Sequence, residues 1–265
     1  MKRLLIENKL GVNMKKIIKN VLPYGLVKFL QRDNKAVYSF NQQFKKYAAQ
    51  LADKRFDCDW KDRNPRLDEA TSTTGYDAHY VYHTAWATRI IVKSNPRKHI
   101  DISSSIDFVS LLSAMVPVEF YDYRPANIKL SGLTCLKGDV TSLPFADNSI
   151  NSLSCMHVVE HVGLGRYGDA IDPHGDIKAM HELSRVLAPG GHLLFVVPVG
   201  GRAHIQFNAH RIYTRKMVEE VFSELSLLDF SIVTDSGEYI EKADVCIANA
   251  QTYGCGCFLF QKKMS

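Results

Sequence analysis

The chain has 265 residues, of which 46% are hydrophobic and 23% charged, and a formal net charge of +5. That size and balance fit one α/β domain with a substantial core plus added elements, and exclude a low-complexity chain. The charge is mild and spread along the sequence, which argues against the basic stripe of a nucleic-acid binder, and no run of about 18 apolar residues offers a membrane span.

The cysteines, Cys58, Cys135, Cys155, Cys246, Cys255 and Cys257, form no CxxC pair and three lie in apolar runs. Reduced thiols in a cytoplasmic protein are therefore expected. Residues 1–32 are basic and partly amphipathic, with Lys15, Lys16, Lys19 and Lys28 among apolar residues. The lysines and the Pro23-to-Gly25 break argue against a signal peptide. Two readings stand for this stretch: peripheral contact of residues 14–32 with an anionic membrane surface, or packing as a helical extension. Met14 offers a second possible first residue. Residues 33–50 carry Val37, Phe40, Phe44 and Tyr47 at helical spacing, and 53–74 read as a polar boundary. The division expected is an extension over 1–74 and a main domain over 75–265.

The main domain opens on a helix rich in Tyr76, Tyr80, Tyr82 and Trp86, with Asp77, His79 and His83 among them. His99 to Ile102 is the expected first strand, followed by Ser103-Ser104-Ser105 and a helix from Ile106 to Met115. Further strands are expected at Val116–Asp122, Leu133–Lys137 and Ile150–Met156. A polar loop containing Gly163, Gly165, Gly168, Asp169 and Asp172 follows. A helical face of Ile177, Met180, Leu183 and Val186 then runs to Pro189-Gly190-Gly191, and His192 to Val197 starts another strand. Strand, loop, helix and strand in that order make a right-handed βαβ unit, whose ligands bind at the carboxyl ends of the strands.

His157-Val-Val-Glu160-His161 also matches the H-x-x-E-H spacing of some zinc proteases. The strand directly before it and the glycines directly after it leave no room for the helix that spacing needs, so no metal ligands are assigned. Beyond the fifth strand, Thr214 caps a helix through Leu225, Leu227–Thr234 is a sixth strand and Tyr253–Gln261 the last. Cys255 and Cys257 share one side of that strand, a spacing that more often packs than binds metal. Residues 235–250 form an insertion.

The segments Glu160-His161, Arg185-Val186-Leu187-Ala188-Pro189-Gly190-Gly191 and Gly138-Asp139 through Leu143-Pro144-Phe145 resemble class I S-adenosylmethionine-dependent methyltransferases over roughly residues 75–261. The string HVVEHVGLGRYGDAIDPHGD is similar, more narrowly, to the methyltransferase-like domain-of-unknown-function family 268. The resemblance implies a Rossmann-like, mostly parallel seven-stranded sheet of order 3-2-1-4-5-7-6. It implies S-adenosylmethionine as cofactor, and a small-molecule or glycan-like acceptor in cell-surface polysaccharide biosynthesis. It assigns the ribose hydroxyls to Asp122 and the adenine amino group to Asp139, with Val140 and His157 beside them. A carboxylate suits a vicinal diol because it accepts two hydrogen bonds.

The family's first turn normally carries glycines after an acidic residue. Here Asp101 is kept, while Ser103, Ser105 and Asp107 replace the glycines. Ser103, Ser104 and Ser105 stand where backbone N–H groups and hydroxyls would hold the cofactor's carboxylate, although such a run is equally a helix cap. For a hydroxyl acceptor, His161 and His210 are the candidate bases, with Asp169 or Asp172 orienting. A non-catalytic or scaffold protein on the same fold is the alternative that the missing glycines suggest.

Overall fold

A computed structural model describes residues 24–51 and 55–264. The chain divides into two compact units, one ending at Gly75 and one running from Tyr76 to Ser265. In the first, helix α1 (Tyr24–Gln50) is followed by a polar stretch with a single turn at Trp60–Asp62. The Trp60 ring packs edge-on against Phe44 with centroids 4.8 Å apart, and the Arg63 guanidinium lies 4.3 Å from its centre. Of the segment expected to touch membranes, residues 14–23 lie outside the described residues. No described helix is long and apolar enough to cross a membrane.

The second unit is built on one sheet. Its strands are β1 (His99–Ile102), β2 (Val118–Asp122), β3 (Leu133–Lys137), β4 (Ile150–Met156), β5 (Leu187–Val199), β8 (Leu225–Val233), β9 (Tyr239–Ile240) and β10 (Gly254–Lys262). They lie in the order β3-β2-β1-β4-β5-β10-β8-β9. The first five are parallel, and β10 runs antiparallel between β5 and β8. The sheet thus has eight strands and not seven: the insertion supplies β9, which extends the edge beyond β8. A separate hairpin, β6 (His204–Gln206) with β7 (His210–Ile212), lies between β5 and the helix that Thr214 caps.

Every residue of β1 is buried, and in β4 only Asn151 is exposed, so the apolar runs are read on both faces as a central parallel sheet requires. Helices α2 (Ala78–Ser94) and α3 (Ile106–Leu112) cover one face with Trp86, Ile91, Phe108 and Leu112. Helices α4 (Gly175–Val186) and α5 (Arg215–Val221) cover the other with Met180, Leu183 and Val218. Helix α6 (Val245–Asn249) caps the insertion. β5 starts at Leu187, before the Pro189-Gly190-Gly191 turn, and the irregularity is absorbed by a register shift against β4. A polar thread crosses the centre: buried His99 bonds Ser152 (Nδ1 to Oγ, 2.7 Å) and Ser154 (Nε2 to Oγ, 2.8 Å), and the Ser154 hydroxyl donates to Asp101.

Candidate functional site

The first four parallel strands end at one side of the sheet, and a cavity of about 370 Å³ lies over those ends. Its walls include Ser103 after β1, Asp122 closing β2, Asp139 and Val140 after β3, and His157 and His161 after β4. Two backbone bonds tie the turns together: Ser103 N–H donates to Tyr121 O at 2.8 Å, and Gly138 N–H donates to Asp122 O at 3.0 Å. The carboxylates are set by their own turns. Asp122 Oδ1 accepts from Arg124 N at 2.6 Å, and Asp139 Oδ1 accepts from Thr141 N at 2.8 Å and Thr141 Oγ1 at 2.7 Å. Each leaves its other oxygen without a hydrogen-bond partner among the described residues.

Other expected site residues stand elsewhere. Asp101 does not line the cavity. It is fully buried, accepts from Ser104 N at 3.0 Å and from Ser154, and burial raises its pKa to about 6 against the opposing effect of those bonds. It braces the first turn from below. Ser104 accepts from Met156 N at 3.0 Å, joining that turn to β4, and Ser105 begins α3 without a side-chain cap. Of the three serines only Ser103 faces the cavity. Its φ of 55° is the left-handed conformation that glycine adopts at no cost, which explains why the family's pattern places glycine in this turn.

The loop after β4 is held from within. Asp169 reaches the cavity wall, but its carboxylate accepts from Gly163 N at 2.7 Å and Tyr167 N at 3.2 Å. Burial opposes its charge, yet the backbone donors prevail and hold its pKa below the usual carboxylate value. Asp172 bonds Lys178 at 2.6 Å. Neither aspartate touches an imidazole, so the contact expected between them and the histidines is not formed. His161 Nδ1 lies 2.6 Å from the Ala209 carbonyl on the hairpin. A carbonyl can only accept, so Nδ1 carries the proton and Nε2 keeps its lone pair. His210 is not a wall of this cavity; its ring stacks on Tyr253 with centroids 4.9 Å apart.

Between the two loop histidines sits Glu160, 1% exposed. Its Oε1 is 2.8 Å from His157 Nδ1 and 3.8 Å from His161 Nε2, and Oε2 is buried without a partner. Burial raises its pKa to about 7, partly opposed by His161. Burial likewise lowers His157 to about 4 and His161 below its ordinary value, so both imidazoles are neutral at neutral pH. Segment 159–161 is one tight turn and not an α-helix, and His157 and His161 converge on Glu160. The protease-like geometry is therefore absent there.

Residues 143–251 match the model of a family described as "Caenorhabditis protein of unknown function, DUF268". None of the curated proteins matches the sequence. Among solved structures, the chain is similar to a putative sarcosine dimethylglycine methyltransferase from Galdieria sulphuraria, with 15% identity and a TM-score of 0.50 over 69% of this chain and 86% of that one. It is also similar to a putative methyltransferase from Bacillus halodurans C-125 (13%, TM-score 0.49, 68% and 99% covered). A third is the N-methyltransferase NodS from Bradyrhizobium japonicum WM9 in complex with S-adenosyl-L-homocysteine (14%, TM-score 0.48, 83% and 97%). At such identities the likeness shows the fold alone, and with the strand order it gives a class I methyltransferase fold.

Proposed function

We propose that this chain, with its DUF268 match on a class I methyltransferase fold, transfers a methyl group from S-adenosylmethionine to a small acceptor. The observation that carries the reading is the pair Asp122 and Asp139: one closes β2 and the other follows the neighbouring β3, both face one cavity, and each keeps one oxygen for a ligand. A volume of about 370 Å³ suits a small-molecule site. Asp122 would hold the ribose hydroxyls and Asp139 the adenine amino group, while the Ser103 turn would take the amino-acid end. When bound, the cofactor supplies an electrophilic methyl group on sulfur.

The remaining work falls to the loop after β4. The Ala209 carbonyl fixes the His161 tautomer, and the free Nε2 is the atom that would receive a proton from a hydroxyl acceptor. Arg166 also donates to the Ala209 carbonyl, at 3.0 Å, and keeps the hairpin strand against the loop. Calorimetric titration with S-adenosylhomocysteine is the test: one saturable site is expected. A folded protein that gives no binding heat, and no protection in a thermal melt, would favour the non-catalytic scaffold instead.

A further inference from the structure

Three side chains meet just outside the cavity: His79 from the first turn of α2, His157 after β4, and Cys255 near the start of β10. One ligand atom from each lies within 4.8 Å of the others. The His157 Nε2 to Cys255 Sγ distance, 3.4 Å, is about the N-to-S edge of a tetrahedral zinc site, which bond lengths near 2.0 and 2.3 Å put at about 3.5 Å. We propose that His79, His157 and Cys255 bind a divalent transition-metal ion, zinc by the softness of the donor set, with a fourth position left open.

A second feature points the same way. A metal-bound histidine commonly donates its other ring N–H to a carboxylate, which fixes the tautomer and strengthens the ligand. His157 Nδ1 lies 2.8 Å from Glu160 Oε1 and so presents Nε2, unprotonated, toward Cys255. Without a metal, Glu160 is a buried carboxyl with one oxygen unpartnered, a costly arrangement. A dication bound to a Cys255 thiolate and coupled through His157 to Glu160 brings the local charge to zero. Binding forms two metal–nitrogen bonds and one metal–sulfur bond, and it releases the Cys255 thiol proton to solvent.

The rings hold the ligands in place. Tyr253 stacks on His79 at 5.2 Å and Tyr80 on His157 at 5.5 Å between centroids. His157 also forms part of the cavity wall, so a fourth ligand on the ion would stand beside the space a small molecule occupies. The site needs no S-adenosylmethionine, so it stands or falls separately from the methyl-transfer reading.

Cobalt(II) titration of chelator-treated full-length protein tests it, with no cofactor added. A thiolate-to-cobalt charge-transfer band should grow to one equivalent and bleach on adding zinc. Cys255→Ser should abolish that band, and Cys257→Ser should keep it. Glu160→Gln should keep the band but weaken cobalt binding by roughly 10–100-fold. His79 is half-exposed, so His79→Ala serves if Cys255→Ser fails to fold, and it should weaken binding at least tenfold. Absence of the band in folded wild-type protein overturns the proposal, as does full cobalt affinity in His79→Ala.

Discussion

The Arg211 guanidinium on β7 donates to the Val162 carbonyl at 2.6 Å, so the hairpin and the loop after β4 are fastened by a buried charge. The same side chain lies 3.5 Å from Asp176, which also accepts from the Tyr213 hydroxyl at 3.0 Å. Removing one partner of a buried pair strands the other, which typically costs about 3–5 kcal/mol. Arg211→Met should therefore lower the unfolding free energy read from urea titration by an amount in that range, and Arg211→Lys should recover part of it. A loss under about 1 kcal/mol in the methionine variant would mean the loop is held by its own turns.

Ser103 carries a positive φ that the sequence could announce only through a missing glycine. Relief of left-handed strain, about 1 kcal/mol, is offset by loss of the hydroxyl's 3.1 Å bond to Tyr121 O and by the freer unfolded chain of a glycine. Ser103→Gly should thus melt close to wild type while S-adenosylhomocysteine affinity is kept or improved. A tenfold or larger loss of affinity would assign the contact to the hydroxyl itself.

The parallel half of the sheet was legible because β1 and β4 are short apolar runs that need burial on both faces, whereas Asp122, which closes β2, and Asp139, which follows β3 after Gly138, were singled out by the family resemblance. Asp101 was misread for a physical reason. It is the third residue of β1, paired with Ser154 on β4, so its side chain enters the central polar thread and not the cavity. The two-residue β9 and the polar hairpin strands carry too little periodicity to be seen. The His79, His157 and Cys255 cluster joins residues far apart along the chain, and no local spacing records it.

Asp122 and Asp139 make separable contributions if each holds a different part of one ligand. Asp122→Asn and Asp139→Asn should each weaken S-adenosylhomocysteine by roughly 10–100-fold, the loss of a charge-assisted hydrogen bond of about 1.5–3 kcal/mol. Unaltered affinity in both variants, measured by calorimetry, would place the ligand elsewhere.

His161 offers a test of chemistry as distinct from binding. His161→Gln should lower turnover by roughly 100-fold or more, with S-adenosylhomocysteine affinity nearly unchanged. Screening hydroxyl, thiol and amine acceptors with methyl-labelled cofactor supplies the assay. A variant that loses cofactor affinity and thermal stability together would make His161 a pin for the hairpin at Ala209.

The central polar thread makes an opposed pair of pH effects. Burial lowers His99 to about 3, below its ordinary 6.5, so the unfolded chain binds a proton there that the folded chain refuses. Its contribution is present above pH 6.5 and is lost as pH falls toward 3. Burial raises Asp101 to about 6 from 3.8, so the folded chain keeps a proton that the unfolded chain has released. That contribution is present below pH 3.8 and is lost as pH rises through 6. Between pH 4 and 6 the two slopes have opposite sign, each at most about 1.4 kcal/mol per pH unit, and they largely cancel. Substituting either residue should expose the other. Asp101→Asn should lose stability relative to wild type as pH falls from 6 to 4, by about 1–3 kcal/mol, because only the His99 effect remains. His99→Gln should gain on wild type over the same interval. Urea unfolding of all three proteins at pH 4, 5 and 6 reads the slopes directly. Parallel curves would mean that neither group changes its proton count on unfolding, and that the thread is held by its serine hydrogen bonds alone.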